Sequence, residues 1–216
     1  MKKVAVILSG CGVYDGSEIN EVVLSLLALE QNSIAYTCFA PNINQHHVIN
    51  HITGEEMADS RNVLIESARI VRGQVTDIKN LDPSHFDAIF IPGGFGAAKN
   101  LSDFAFNGAS AKFNQQLLNT VLGFKNLNKP IAAICIAPII VVKALGNGVN
   151  VTIGNDIEVA KHIQTMGGEH TSKGTTDLCY DEVNKVLTTP CYMLAKNILE
   201  VKSGIDNLVT KLKQII

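Results

Sequence analysis

One cysteine stands in a setting where its type and spacing allow chemistry. In Ile131-Ala132-Ala133-Ile134-Cys135-Ile136-Ala137-Pro138, an apolar run suited to a buried strand leads into a proline suited to the first turn of a helix, so Cys135 must make the corner. That is the pattern of a nucleophile elbow, which holds the reacting side chain up on a sharp strand-to-helix turn. A thiol there faces the free N–H groups and positive pole of the next helix, which favour thiolate, the form that attacks a carbonyl carbon. The competing reading is a small hydrophobe buried in the core, the usual fate of a free cysteine.

Three further loops carry unusual residues. Pro92-Gly93-Gly94-Phe95-Gly96 lets backbone approach closely, and consecutive N–H groups at Gly93 and Gly94 are suited to an oxyanion, although glycines at strand ends also serve plain turns. Gly10-x-Gly12-x-x-x-Gly16 imitates a dinucleotide fingerprint, but it is one residue too long and the second strand ends in Ala40-Pro41 without a ribose-binding acid, so no nicotinamide cofactor is expected. Glu18 closes that loop and can point its carboxyl at neighbouring strand ends or simply cap a helix. Thr188-Thr189-Pro190 is the fourth loop. His46, His47 and His51 lack the order and carboxylates of a metal site and read as a surface cluster. Arg61, Glu66, Arg69 and Arg72 fit exposed pairs along one helix.

The elements that must position these residues alternate along the chain. Strands are expected at 4–8, 35–39, 88–91, 131–134 and 149–153, with a β pair at 178–180 and 186–188 turning at Asn184-Lys185. Helical spacing is expected from Ser17 as N-cap, over 61–71, in the later part of 104–125, over 137–145 and 156–166, and from about 192 to 212 with a break near Ser203-Gly204. Alternation of this kind predicts a mostly parallel sheet covered by helices on both faces, whose functional loops follow the strands. The 216 residues, 46% hydrophobic, fit a single domain over 1–216. Lysine and arginine total 18 against 20 acids, which offers nucleic acid no basic footprint. The run 4–8 is too short to span a membrane. Five scattered cysteines without a C-x-x-C pair predict a reducing, cytoplasmic setting, with neither disulfide framework nor metal cage.

Together, Cys135, Gly93-Gly94 and Glu18 resemble the class I glutamine amidotransferase-like superfamily in its PfpI-type branch. Longer strings, Leu8-Ser9-Gly10-Cys11-Gly12-Val13-Tyr14-Asp15-Gly16-Ser17-Glu18-Ile19, the stretch from Ser60 to Ile70, the stretch from Pro92 to Leu101, and Cys135-Ile136-Ala137-Pro138, are similar to the enhancing lycopene biosynthesis protein 2 group. The resemblance covers nearly the whole chain. It implies a flavodoxin-like three-layer α/β sandwich, a link to isoprenoid biosynthesis, a homodimer, and a cofactor-free, glyoxalase III-like conversion of glyoxal to glycolate. Carried over by position, Cys135 is the nucleophile, Glu18 the acid or base, and Gly94 with the Ile136 N–H the oxyanion donors. The places where superfamily enzymes carry histidine read Ile136 and Gly154-Asn155-Asp156, so a Cys-His-Glu amidotransferase triad is not expected; His170 is an accessory choice. The expected partner is a small dicarbonyl, with no nucleic acid, membrane or metal. The rival function is redox sensing, in which Cys135 is oxidised and Cys11, on the same sheet edge, resolves it if their α-carbons lie within about 7 Å.

Overall fold

A computed structural model describes residues 1–216. The strands are β1 (Lys3–Ile7), β2 (Ala35–Ala40), β3 (Val48–Ile49), β4 (Glu56–Met57), β5 (Val75–Asp77), β6 (Ala88–Ile91), β7 (Ile131–Ile134), β8 (Asn150–Val151), β9 (Glu169–His170), β10 (Cys179–Asp181) and β11 (Val186–Thr189). The helices are α1 (Ile19–Gln31), α2 (Val63–Ile70), α3 (Phe95–Lys99), α4 (Phe104–Asn107), α5 (Gln115–Asn126), α6 (Pro138–Leu145), α7 (Ile157–Thr165) and α8 (Ile198–Ile215).

Seven strands form one sheet in the order β10-β11-β7-β6-β1-β2-β5, parallel throughout except for the β10–β11 pair. β6 and β7 are apolar at every position, and β1 is after Lys3, because both faces are covered. Ala5, Ile7, Ile89, Ile91, Ile131 and Ala133 pack with α5 and α6 on one side. Val4, Val6, Ala88, Phe90, Ala132 and Ile134 pack with α1 and α8 on the other. The mostly parallel, doubly covered sheet is the one that the alternation of elements predicts, and the whole is the flavodoxin-like three-layer α/β sandwich that the resemblance implies.

Several boundaries differ, each for a local reason. Helix α1 starts two residues beyond Ser17, because the Ser17 hydroxyl takes the Ser9 N–H at 2.8 Å and Glu18 becomes the N-cap. The residues expected as a strand at 149–153 pair only with β9, in a separate two-stranded sheet. The short edge strand β5 has no alternating pattern to reveal it. Helix α8 runs unbroken through Ser203-Gly204, where Gly204 packs against the Thr175 carbonyl.

The loops after β1 and β6 are laced together beneath the site. Phe95 N–H donates to Val13 O and Gly96 N–H to Gly16 O, both at 2.8 Å. A Cβ on Gly96 would lie 2.4 Å from Ser9 Oγ and 2.5 Å from Ser9 O. Gly96→Ala is therefore expected to destabilise the protein by about 2 kcal/mol or more through forced backbone movement. Gly73→Ala, in open space at positive φ, should cost only the left-handed penalty of about 1–2 kcal/mol. Urea unfolding of both variants checks this; equal losses would contradict the lacing.

Candidate active site

Cys135 follows β7 directly and has φ of +59°, a left-handed conformation that a non-glycine residue adopts at a cost of about 1–2 kcal/mol. Its N–H donates to Thr189 O at 3.1 Å, which ties the corner to β11, and Pro138 opens α6 three residues later. The elbow exists as a strained turn, and it holds the thiol only 7% exposed.

The carboxyl that adjoins this thiol, across Gly93, is that of Glu21. Because Glu18 caps α1, residue 21 turns inward on the first turn and is fully buried. Glu21 Oε1 accepts the Tyr192 N–H and Oε2 the Gly93 N–H, each at 3.1 Å. A Cβ on Gly93 would meet Glu21 Oε2 at 2.6 Å and Cys135 Sγ at 2.8 Å, so only glycine lets the three groups converge. The Gly93 N–H is thus spent on Glu21. The N–H groups of Gly94 and Ile136 are near enough to Sγ to pull its proton affinity down.

Burial pushes the Glu21 carboxyl up to about 8, against the pull of two backbone N–H groups. It therefore keeps its proton at neutral pH. Burial, and the Glu21 carboxylate once ionised, push the Cys135 thiol well above its ordinary value, although the Gly94 and Ile136 N–H groups pull it down. The helix pole was expected to favour resting thiolate; desolvation outweighs it.

Glu18 has a different place. Its Oε2 takes the Glu21 N–H at 2.6 Å as the cap of α1, and the residue lines a cavity of about 900 Å³ that also reaches Cys135. Burial raises it above the usual carboxylate range. His170 does not line this cavity; it borders a separate hollow, with Nε2 3.4 Å from the Ile153 N–H. Cys11 lies in the field of Glu66, Arg69, Asp15 and Arg61, whereas the buried thiol in the field of Cys135 and Glu21 is Cys191. Reading the sequence alone missed Glu21, Cys191 and one imidazole, His162, which does line the cavity and takes the Ala109 N–H on Nδ1 at 3.2 Å. The spacing of Glu21 three residues after a capping acid is the one signal that pointed to it.

Residues 2–175 match the model of the DJ-1/PfpI family. The chain is 41% identical over 223 residues to the ES1 protein homolog, mitochondrial, of Rattus norvegicus, covering 99% of this chain and 84% of that protein. It is likewise 41% identical to the glutamine amidotransferase-like class 1 domain-containing protein 3, mitochondrial, of Homo sapiens, over 99% of this chain and 83% of that one. A crystal structure of an isoprenoid biosynthesis protein with amidotransferase-like domain from Ehrlichia chaffeensis superposes with a TM-score of 0.92 at 39% identity, covering 99% of this chain and all of that one. The match to the family model ends before β11 and Tyr192, the segment that supplies one of the two N–H groups on Glu21.

The sign of the Glu21 shift fixes a stability prediction. The folded state binds this proton up to about pH 8, whereas the unfolded chain releases it near 4.5. Between those values the unfolded state holds fewer protons, so unfolding free energy falls as pH rises, by roughly 4–5 kcal/mol across the window. The loss is absent below about pH 4.5 and complete above 8. Urea titrations of the native protein and Glu21→Gln at pH 5 to 8 should differ by this slope, whatever the absolute stability of the variant. Parallel pH profiles would contradict the assignment.

Proposed function

The chain belongs to the DJ-1/PfpI family, and we propose that it turns 2-oxoaldehydes, glyoxal the simplest, into 2-hydroxy acids without a cofactor. The observation that carries this reading is the convergence of the Cys135 thiol, the Gly94 and Ile136 N–H groups and the Glu18 carboxyl on one cavity.

In the proposed reaction Glu21, once ionised, takes the thiol proton as sulfur attacks the aldehyde carbon. The Gly94 and Ile136 N–H groups lie beside the alkoxide that forms, and Glu21 returns the proton to it, giving a hemithioacetal. Glu18, which faces the cavity as Glu21 does not, then moves the carbon-bound proton from the first carbon to the second through an enediol. Water hydrolyses the resulting thioester, freeing the thiol and the acid; for glyoxal the product is glycolate. The two carboxyls divide the work, one serving sulfur and one serving carbon.

Oxidation of Cys135 as a signal is the second reading, favoured by the same two N–H groups, which would hold a sulfinate as they hold an alkoxide. Intact mass after mild peroxide, read beside aldehyde turnover, separates the two.

We propose a homodimer as well, acting on a small dicarbonyl with no part played by nucleic acid or membrane. No helix is long and apolar enough to cross a membrane. Ile19, Val23 and Leu27 form an exposed apolar stripe at i, i+4 and i+8 on α1, a surface suited to a second copy. The rat and human relatives are mitochondrial by name; for this chain the cytoplasm is proposed from its scattered cysteines.

Cys135→Ala should reduce glycolate formation from glyoxal to background, and Glu18→Gln should lower kcat about 10²-fold or more. Retention of turnover by Cys135→Ala would overturn the reaction. For the native protein, kcat/KM should climb with pH as Glu21 ionises and level off above about 8. A profile flat between pH 6 and 8 would contradict Glu21 as the base. Light scattering should give a dimer mass for the native chain and a monomer mass for Val23→Glu; a native monomer would contradict the dimer.

A further inference from the structure

We infer that the molecule this site is shaped for is a neutral 2-oxoaldehyde with an extended apolar tail, and that a substrate with an anionic end is rejected. The inference rests on the reaction proposed above and assigns a substrate class to its cavity.

Size is the first argument. The cavity holds about 900 Å³, whereas glyoxal displaces about as much as two or three waters at roughly 30 Å³ each. A substrate so small leaves the space empty and draws little binding energy from the walls. Cavities of this volume enclose molecules several times larger.

The chemistry of the walls is the second. Val13, Phe104, Phe106, Val159 and Met193 give the space its apolar surface, and burying a tail against them is favourable in proportion to area. Their polar company is selective in sign. No lysine or arginine lines the cavity, while acidic residues do: Glu18, Asp156 and, at the exposed rim, Glu158.

The nearby cations are engaged elsewhere. Lys99 on α3 has its Nζ over the Phe95 ring, 2.9 Å from Tyr14 O and 3.0 Å from His47 Nε2. Lys161 pairs with Glu158 at 3.0 Å on the surface. A phosphate, diphosphate or carboxylate carried inward would therefore lose its water and meet charges of its own sign. Asn107, Ser110 and Tyr192 add uncharged polar groups to the lining, and His162 adds an imidazole. Its Nδ1 accepts the Ala109 N–H at 3.2 Å.

The reaction on such a substrate balances with water alone. RCOCHO and H2O give RCH(OH)COOH; the aldehyde carbon is oxidised to the acid, and the ketone carbon is reduced to the alcohol by the proton and electron pair that the enediol carries across.

The test uses the full chain and two readouts. Steady-state turnover is compared for alkylglyoxals from methyl to octyl and for one octyl analogue ending in a carboxylate. Methyl ketones of the same lengths, which cannot form the thioester, are titrated calorimetrically into Cys135→Ala protein. Both kcat/KM and ketone affinity should rise about threefold for each methylene over the first several carbons. The carboxylate-ended analogue should fall at least tenfold below its neutral counterpart, and Ala105→Arg, at an exposed position on the cavity wall, should narrow that gap. Turnover that depends on Cys135 but not on chain length overturns the inference and leaves the reaction standing. Absence of Cys135-dependent turnover at every length overturns the reaction, and with it the 2-oxoaldehyde assignment. Ketone affinity that does not grow with length overturns the inference whichever way turnover falls.

Discussion

A carboxyl group without water, held against a thiol, is the constraint around which this structure is arranged. Glu21 reaches Cys135 only because four parts of the chain meet: the first turn of α1, the glycine loop after β6, the elbow after β7 and the turn after β11. Each contributes something the others cannot supply. Helix α1 brings the side chain, Gly93 and Tyr192 satisfy its two oxygens with N–H groups at 3.1 Å, and the elbow brings sulfur. A buried carboxyl with fewer partners would be a heavy cost to the fold. With these it is tolerated, and its proton affinity rises to about 8. The strained backbone of Cys135 and the missing side chain at Gly93 are both explained by this one contact.

The same arrangement accounts for the form of the nucleophile. A thiol at a helix N-terminus in open solvent would ionise readily. Here desolvation prevails, so sulfur rests protonated, and in the proposed reaction its proton passes to Glu21. A carbonyl that polarises toward the Gly94 and Ile136 N–H groups favours that transfer. The proposed cofactor-free chemistry needs a site that is dry near sulfur and roomy beyond it. The large cavity beside a thiol only 7% exposed has that shape.

The parts legible in the sequence were those set by local rules. The apolar strands, the sheet's parallel character and the position of Cys135 follow from periodicity, from alternation and from Pro138 at the start of α6. The Glu18–Glu21 distinction was not legible, because both acids lie in one turn and the choice depends on where α1 begins. That in turn depends on Ser17, whose hydroxyl is drawn off by Ser9 across the loop. His162 was invisible for a related reason. Its place beside the cavity is set by the contact of α7 with Gly108, where a Cβ would strike the imidazole at 2.5 Å, and no spacing in the sequence announces that contact. Local chemistry placed the thiol at the corner; tertiary packing chose its neighbours.

The central claim is that Glu21, buried beside Cys135, holds a proton at neutral pH. Carbon-13 NMR of the Glu21 side-chain carboxyl, titrated in the folded protein, observes that proton directly. The account predicts a midpoint near 8, moving further up in Cys135→Ala protein as the thiol's hydrogen bond is lost. A midpoint near 4.5, the value for an ordinary glutamate, unmoved by loss of the thiol, would contradict it.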